Sequence, residues 1–238
     1  MGYMITSLFD PSNKESPATP SFSRQAKVRN VELAREVHPV PVLQELMLFL
    51  KSRGNEDFIE SVISCFCAPV TAGLKCASLV NLSRCGREVL DDWLLVRAGL
   101  SRKLSVRFAE MSCTRRSVLL LVYRERSLLR ALSAEGVRDF LARFGYARDF
   151  TSTAPCVARL AERFACRMPH EVGVFLDYPL EDVRGFIENE GRDAKFAGYW
   201  KVYGNEIEAM RRFEAFRRAE RRSASRILQR AQGLTEAA

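Results

Sequence analysis

The chain has no run approaching the roughly 18 uninterrupted apolar residues of a spanning helix, and no basic segment leading into an apolar one near its start. A helical membrane protein and a secreted one are both disfavoured, so a cytoplasmic protein with no membrane partner is expected. Histidine is nearly absent. Of the two present, His38 lies just before Pro39 and His170 in the body of the chain. No Gly-x-x-x-x-Gly-Lys, no Gly-x-Gly-x-x-Gly and no Gly-x-Ser-x-Gly occurs. The two common phosphate cradles and the usual hydrolase elbow are therefore missing, and a Ser-His-Asp enzyme would have to use His170. His170-Glu171 opens like a metalloprotease signature, but the second ligand position holds Val174, which cannot bind zinc. The seven cysteines include Cys65-x-Cys67, Cys76 and Cys85 but no Cys-x-x-Cys knuckle. Small buried thiols with no metal and no disulfide are expected.

What is present is enough apolar material, 47% of 238 residues, for one substantial core. The formal charge of +8 has one main address. Arg211 to Arg230 holds eight Arg against two Glu, a local +6. That distribution fits an acidic partner at one surface better than a nucleic-acid-binding face spread over the molecule, so nucleic acid ranks third.

Residues 1–38, with Pro11, Pro17 and Pro20 among polar residues, read as a disordered leader. Leu43, Leu46, Met47 and Leu50 predict an amphipathic helix stopped at Gly54. Ile59, Val62, Ile63 and Phe66 predict a second, ended by Pro69. A strand is expected near Leu74–Leu82, and a third helix around Val89, Leu90, Trp93 and Leu94, closing near Gly99. Leu104, Val106 and Phe108 alternate as in a half-wet strand, and Val118–Tyr123 is the unbroken apolar run of a central one, with Glu110–Arg116 as a hairpin link. Helices follow over Val137–Phe144, Val157–Phe164 and Pro179–Gly191. Phe196–Tyr203 has strand period, placing Tyr199, Lys201 and Tyr203 on one face and Trp200 on the other. A last helix starts near Asn205. Its apolar stripe thins after Ala219, so the Arg-rich remainder is expected to project and to contribute little to stability. The fold class is α+β in a single domain: a small antiparallel or mixed sheet covered by amphipathic helices over 39–218, with an Arg-rich helical tail at 219–238.

His170 is the one imidazole placed for acid–base work, with Glu171 beside it in sequence. Lys201 between Tyr199 and Tyr203 could frame an anion or a flat ring, and Tyr123-Arg124 ends a strand, where sites gather. Several segments together resemble a family. Cys67-Ala68-Pro69-Val70-Thr71-Ala72-Gly73-Leu74-Lys75, Tyr123-Arg124, Pro169-His170-Glu171-Val172-Gly173, Tyr178-Pro179-Leu180-Glu181-Asp182-Val183 and Gly198-Tyr199-Trp200-Lys201-Val202-Tyr203 are similar to blocks of the bacterial domain of unknown function 3793, over about Glu56 to Ala219. Asp177 stands where that family usually has glycine, and Val70-Thr71 where it has Thr-Leu. The resemblance names no cofactor. It implies a setting in anaerobes, in iron or low-potential redox physiology, with a flavodoxin-like acidic protein as a candidate partner. It also marks the flagged segments as hallmark ones, which supply Cys67, Lys75, Arg124, His170, Glu171, Asp182 and Lys201. The expected function is binding, with turnover as an option, of a small anionic ligand or cofactor. Lys75, Arg124, His170 and Lys201 are expected to converge on one cleft, with His170, Glu171 and Cys67 as catalytic candidates and Tyr123, Asp182, Tyr199, Trp200 and Tyr203 as further ligand contacts.

Overall fold

The computed structural model describes residues 41–84 and 86–232. The expected leader, Cys85 and the last six residues lie outside the described residues. The order is α1 (Pro41–Leu50), α2 (Asn55–Phe66), α3 (Ala68–Thr71), β1 (Ala77–Ser83), α4 (Leu90–Leu104), β2 (Arg107–Thr114), β3 (Ser117–Tyr123), α5 (Glu125–Leu132), α6 (Val137–Ala142), α7 (Ala154–Phe164), α8 (Val172–Phe175), α9 (Leu180–Glu188), β4 (Phe196–Ala197), β5 (Lys201–Val202) and α10 (Glu206–Ala231).

The unbroken apolar run of β3 follows from its position. It is the centre of a three-stranded antiparallel sheet of order β1-β3-β2, so both its faces must be covered. Leu121 and Tyr123 point into one core with Leu79, Leu128, Phe140, Leu160 and Phe175. Val118, Leu120 and Val122 point into a second with Val80, Leu46, Ile59, Ile63 and Trp93. The protein is thus α+β, a small sheet between two helical layers. A smaller third cluster joins the β4–β5 hairpin to the first half of α10 through Trp200, Val202, Phe213 and Phe216.

Several boundaries differ from the sequence pattern for identifiable reasons. α4 runs through Gly99 to Leu104, because burial of Trp93 and Leu100 outweighs the ~1 kcal/mol cost of an interior glycine. It stops at Ser105, whose φ of 53° is left-handed, with Arg102 and Lys103 in its last turn. Leu104 is therefore helical, β2 begins at Arg107, and the hairpin link shrinks to Arg115-Arg116, since Thr114 pairs with Ser117. Pro69 does not end a helix. It sits in the first turn of α3, where its missing N–H costs nothing. The short α5 has no counterpart in the expected pattern, because Leu128 and Leu132 are its only fully buried members among charged neighbours.

Two corrections bear on function. Phe196–Tyr203 is not one strand but a tight hairpin of two-residue strands, with Gly198-Tyr199-Trp200 as its turn and Gly198 N–H donating to the Trp200 carbonyl at 3.0 Å. A Cβ on Gly198 would lie 2.1 Å from a Phe213 ring carbon, so only glycine lets α10 come this close. Tyr199, Lys201 and Tyr203 therefore do not share a strand face. The Arg-rich stretch does not project. α10 is capped by Asn205, whose side chain accepts from Glu208 N–H, and it continues unbroken past Ala219. Its buried stripe of Ala209, Phe213, Phe216, Glu220, Ala224 and Leu228 keeps helical spacing throughout. The stripe fades in composition only. Small residues let the helix approach α2 closely enough for Ser223 Oγ to donate to the Ser64 carbonyl at 2.9 Å.

Candidate functional site

The Gly73 turn places Lys75. Gly73 has a φ of +73°, and its N–H and that of Leu74 are taken by the Val70 and Pro69 carbonyls. Arg124, at the end of β3, locks this turn by donating Nη2 to the Thr71 carbonyl at 2.7 Å. Lys75 is thereby directed inward at the start of β1, only 8% exposed. Its Nζ lies 5.6 Å from the Tyr178 ring centroid and 5.4 Å from that of Phe216. It makes no hydrogen bond or ion pair among the described residues. Burial pulls its pKa down, against the opposing pull of Cys76, Glu220 and Asp177 and with a further push from Arg212.

Lys75 forms part of the wall of a narrow, partly open cleft bounded by Phe66, Pro69, Ser78, Leu79, Met168, Val172, Leu176, Tyr178, Tyr199 and Glu220. Glu220 reaches it from α10, one turn beyond Phe216, and is as buried as Lys75 at 8% exposure. Its Oε2 accepts the Tyr199 hydroxyl at 2.7 Å. Burial raises the Glu220 carboxyl to about 7, although Tyr199, Lys75 and Arg217 favour its ionised form. Nothing in the Arg-rich sequence around Glu220 marks it. The available signal is helical spacing from Phe213 and Phe216, which puts position 220 on the inward face.

A second, smaller cleft adjoins the first across Tyr178 and holds His170, Asp182, Phe186, Trp200 and Lys201. The His170 ring is packed edge-on against Phe186 at 5.1 Å between centroids. Partial burial lowers its pKa and Arg167 lowers it further, against Glu171, so the imidazole is neutral near pH 7. Lys201 Nζ donates to the Gly191 carbonyl at 2.7 Å and lies 5.9 Å from the Phe186 ring centre.

The carboxylate of Asp182 is only 2% exposed and accepts three donors: Trp200 Nε1–H at 2.6 Å and the Tyr203 and Gly204 N–H groups, each at 2.7 Å. This one side chain ties the start of α9 to the β4–β5 hairpin. It holds Trp200 against Tyr178, with ring centroids 4.7 Å apart. Tyr178 in turn donates its hydroxyl to the Tyr199 carbonyl at 3.1 Å. Asp177, at the position where the resembled family has glycine, has a φ of 64°, the left-handed region that favours glycine. Arg212 offsets that strain by donating to both the carbonyl and the carboxylate of Asp177, at 2.6 and 3.0 Å.

The four expected cations thus divide. His170 and Lys201 share the smaller cleft, Lys75 faces the larger one, and Arg124 lines neither because it is engaged with the Gly73 turn. Tyr123 is buried in the core beside Thr153. Glu171 is 1% exposed and turned from His170 to an ion pair with Arg163 and the Tyr146 hydroxyl, the latter at 3.2 Å. Tyr203 spends its hydroxyl on the Arg192 carbonyl at 2.9 Å. Cys67 is fully buried, and burial pushes its thiol well up, a poor setting for a nucleophilic thiolate. Among the described residues no three His, Cys, Asp or Glu side chains gather as metal ligands, and no helix is long and apolar enough to cross a membrane.

The model of a protein family described as "Protein of unknown function (DUF3793)" matches residues 63–235. No curated protein and no solved structure matches the chain.

Proposed function

We propose that the chain, which belongs to the DUF3793 family, binds a small anionic ligand in the cleft between β1 and α10, with Lys75 as its anchor. The observation that carries this reading is Lys75 itself. An ammonium this buried is normally paired and hydrogen-bonded, yet among the described residues its Nζ meets two ring faces and no hydrogen-bonding or ion-pair partner. An anion entering the cleft supplies the missing partner. Tyr178 and Phe216 frame the approach, and Tyr199 and Glu220 offer polar contacts opposite a mainly apolar wall.

A residue kept for a ligand is held at a cost to the empty protein. Lys75→Met is therefore expected to raise stability by about 1–2 kcal/mol at pH 6, where Glu220 is mostly protonated and needs no counter-charge. Urea unfolding reads this directly. A loss of more than about 1 kcal/mol would show that Lys75 is an internal structural partner, and the ligand reading would fail.

A second reading, docking of an acidic protein, has its own observation. Arg211, Arg218, Arg222, Arg226 and Arg230 are exposed along α10. Arg217 and Arg221, by contrast, are paired with Glu214. Replacing Arg218, Arg222 and Arg226 by Ser separates the readings. It should abolish any salt-sensitive association with an acidic protein and leave small-ligand binding intact.

A further inference from the structure

We infer that the ligand of the Lys75 cleft is a monocarboxylic acid with an apolar or aromatic body, and that its binding is accompanied by uptake of one proton on the Lys75–Glu220 pair. This rests on Lys75 being the anion anchor and specifies what that anchor can hold.

The cleft wall contributes one amine, Lys75, and one carboxyl, Glu220, each 8% exposed. The other groups acting on this pair are occupied or neutral. Asp177 is paired with Arg212 at 3.0 Å, and Arg217 with Glu214 at 3.3 Å. Burial holds the Cys65, Cys67 and Cys76 thiols neutral, and Tyr199 is a neutral donor to Glu220. A desolvated cleft favours zero net charge. Empty, that condition is met when the pair holds one proton, whether as ammonium with carboxylate or as amine with carboxylic acid. A bound monoanion restores neutrality only if the pair then holds two. The bound state is ammonium, protonated Glu220 and ligand carboxylate, and the additional proton comes from solvent or from the acid form of the ligand.

The donor geometry agrees. Glu220 Oε2 accepts from Tyr199, while Oε1 has no hydrogen bond among the described residues. A proton on Oε1 gives the ligand carboxylate a carboxylic-acid donor, the arrangement in which two carboxyls in one site share a proton. A phosphate dianion fits poorly. It would require a second extra positive charge, and the cleft wall supplies one amine, Lys75. Of the remaining wall, Ser78 adds one hydroxyl, while Phe66, Pro69, Leu79, Met168, Val172 and Leu176 offer only apolar contact. Burial places Glu220 near 7 in the empty protein, so the uptake falls within the neutral range. Because binding consumes a proton, affinity is flat well below that pH and falls above it, with a slope that approaches about tenfold per unit.

Isothermal titration of the full chain with benzoate, phenylacetate and hexanoate, beside inorganic phosphate, tests this at about pH 6, 7 and 8 in two buffers of different ionisation enthalpy. At least one carboxylate should bind with close to one proton taken up at pH 8 and with Kd rising about fivefold between pH 7 and 8. In Glu220→Gln the uptake and the pH dependence should disappear, and in Lys75→Met binding should be lost. A carboxylate bound at pH 8 without proton exchange, or phosphate bound in preference, would overturn this inference and leave Lys75 as an anion anchor. Binding of no anion of either kind would overturn both.

Discussion

Replacing Asp182 by Ala is expected to cost about 3–5 kcal/mol, the largest loss from any single polar substitution near the two clefts. The removed carboxylate is almost fully buried and leaves the Trp200 indole N–H and the Tyr203 and Gly204 N–H groups without an acceptor. Among the described residues none of these donors has another acceptor, so each carries a desolvation penalty of about 1–3 kcal/mol. The damage should spread along a definite path. Trp200 releases Tyr178, and Tyr178 borders both clefts. Asp182→Asn keeps one acceptor oxygen but directs an amide N–H₂ at donors, so an intermediate loss of about 2 kcal/mol is expected. Denaturant unfolding measures the free energies, and Trp200 fluorescence reports release of the ring. A loss below about 1 kcal/mol for Asp182→Ala would mean that this carboxylate does not hold the hairpin.

Ending the chain after Ala219 is expected to prevent stable folding. The deletion removes Glu220, Ala224 and Leu228 from the inner face of α10. Ala224 and Leu228 belong to the core that also contains Leu46, Leu50, Ile59 and Trp93. Losing that lid uncovers α1 and α2 and opens one wall of the Lys75 cleft. Losing the Leu228 side chain alone, as in Leu228→Ala, is worth about 2–4 kcal/mol, and a domain stable by about 5–15 kcal/mol has little margin for the rest. Circular dichroism and thermal unfolding of the truncated chain settle the matter. A cooperative transition within a few degrees of the full chain would show that the Arg-rich half of α10 only rests on the core.

The sequence showed this architecture where burial leaves a periodic trace. β3 is legible because both its faces are covered, and α2 and α7 because each buries one clean stripe. The pattern failed where small residues or backbone geometry decide. Ala224 packs as tightly as a leucine would without announcing itself, and the hairpin at Gly198 looks like a strand until Phe213, fifteen residues later, is seen to need the space. Charge misled in a consistent way. Asp182 and Glu171 stand out in the sequence as polar residues within otherwise apolar blocks. Asp182 secures Trp200, eighteen residues further on, and Glu171 pairs with Arg163. Such partners cannot be inferred until the chain is folded. Glu220 was hidden for the opposite reason, since one of two carboxylates among eight arginines reads as part of a solvated face. Lys75 was legible as a candidate, and its approach to Glu220 across more than a hundred residues was not.

The claim on which the rest depends is that the Lys75 cleft is a ligand site. Native mass spectrometry of the full chain isolated from its own cells, beside Lys75→Met isolated the same way, tests it most directly. The wild-type protein should carry a dissociable small-molecule mass that collisional activation releases as an organic anion, and Lys75→Met should lack it while remaining folded. The same mass retained at the same occupancy by both proteins would place the ligand elsewhere and contradict the assignment of Lys75 as its anchor.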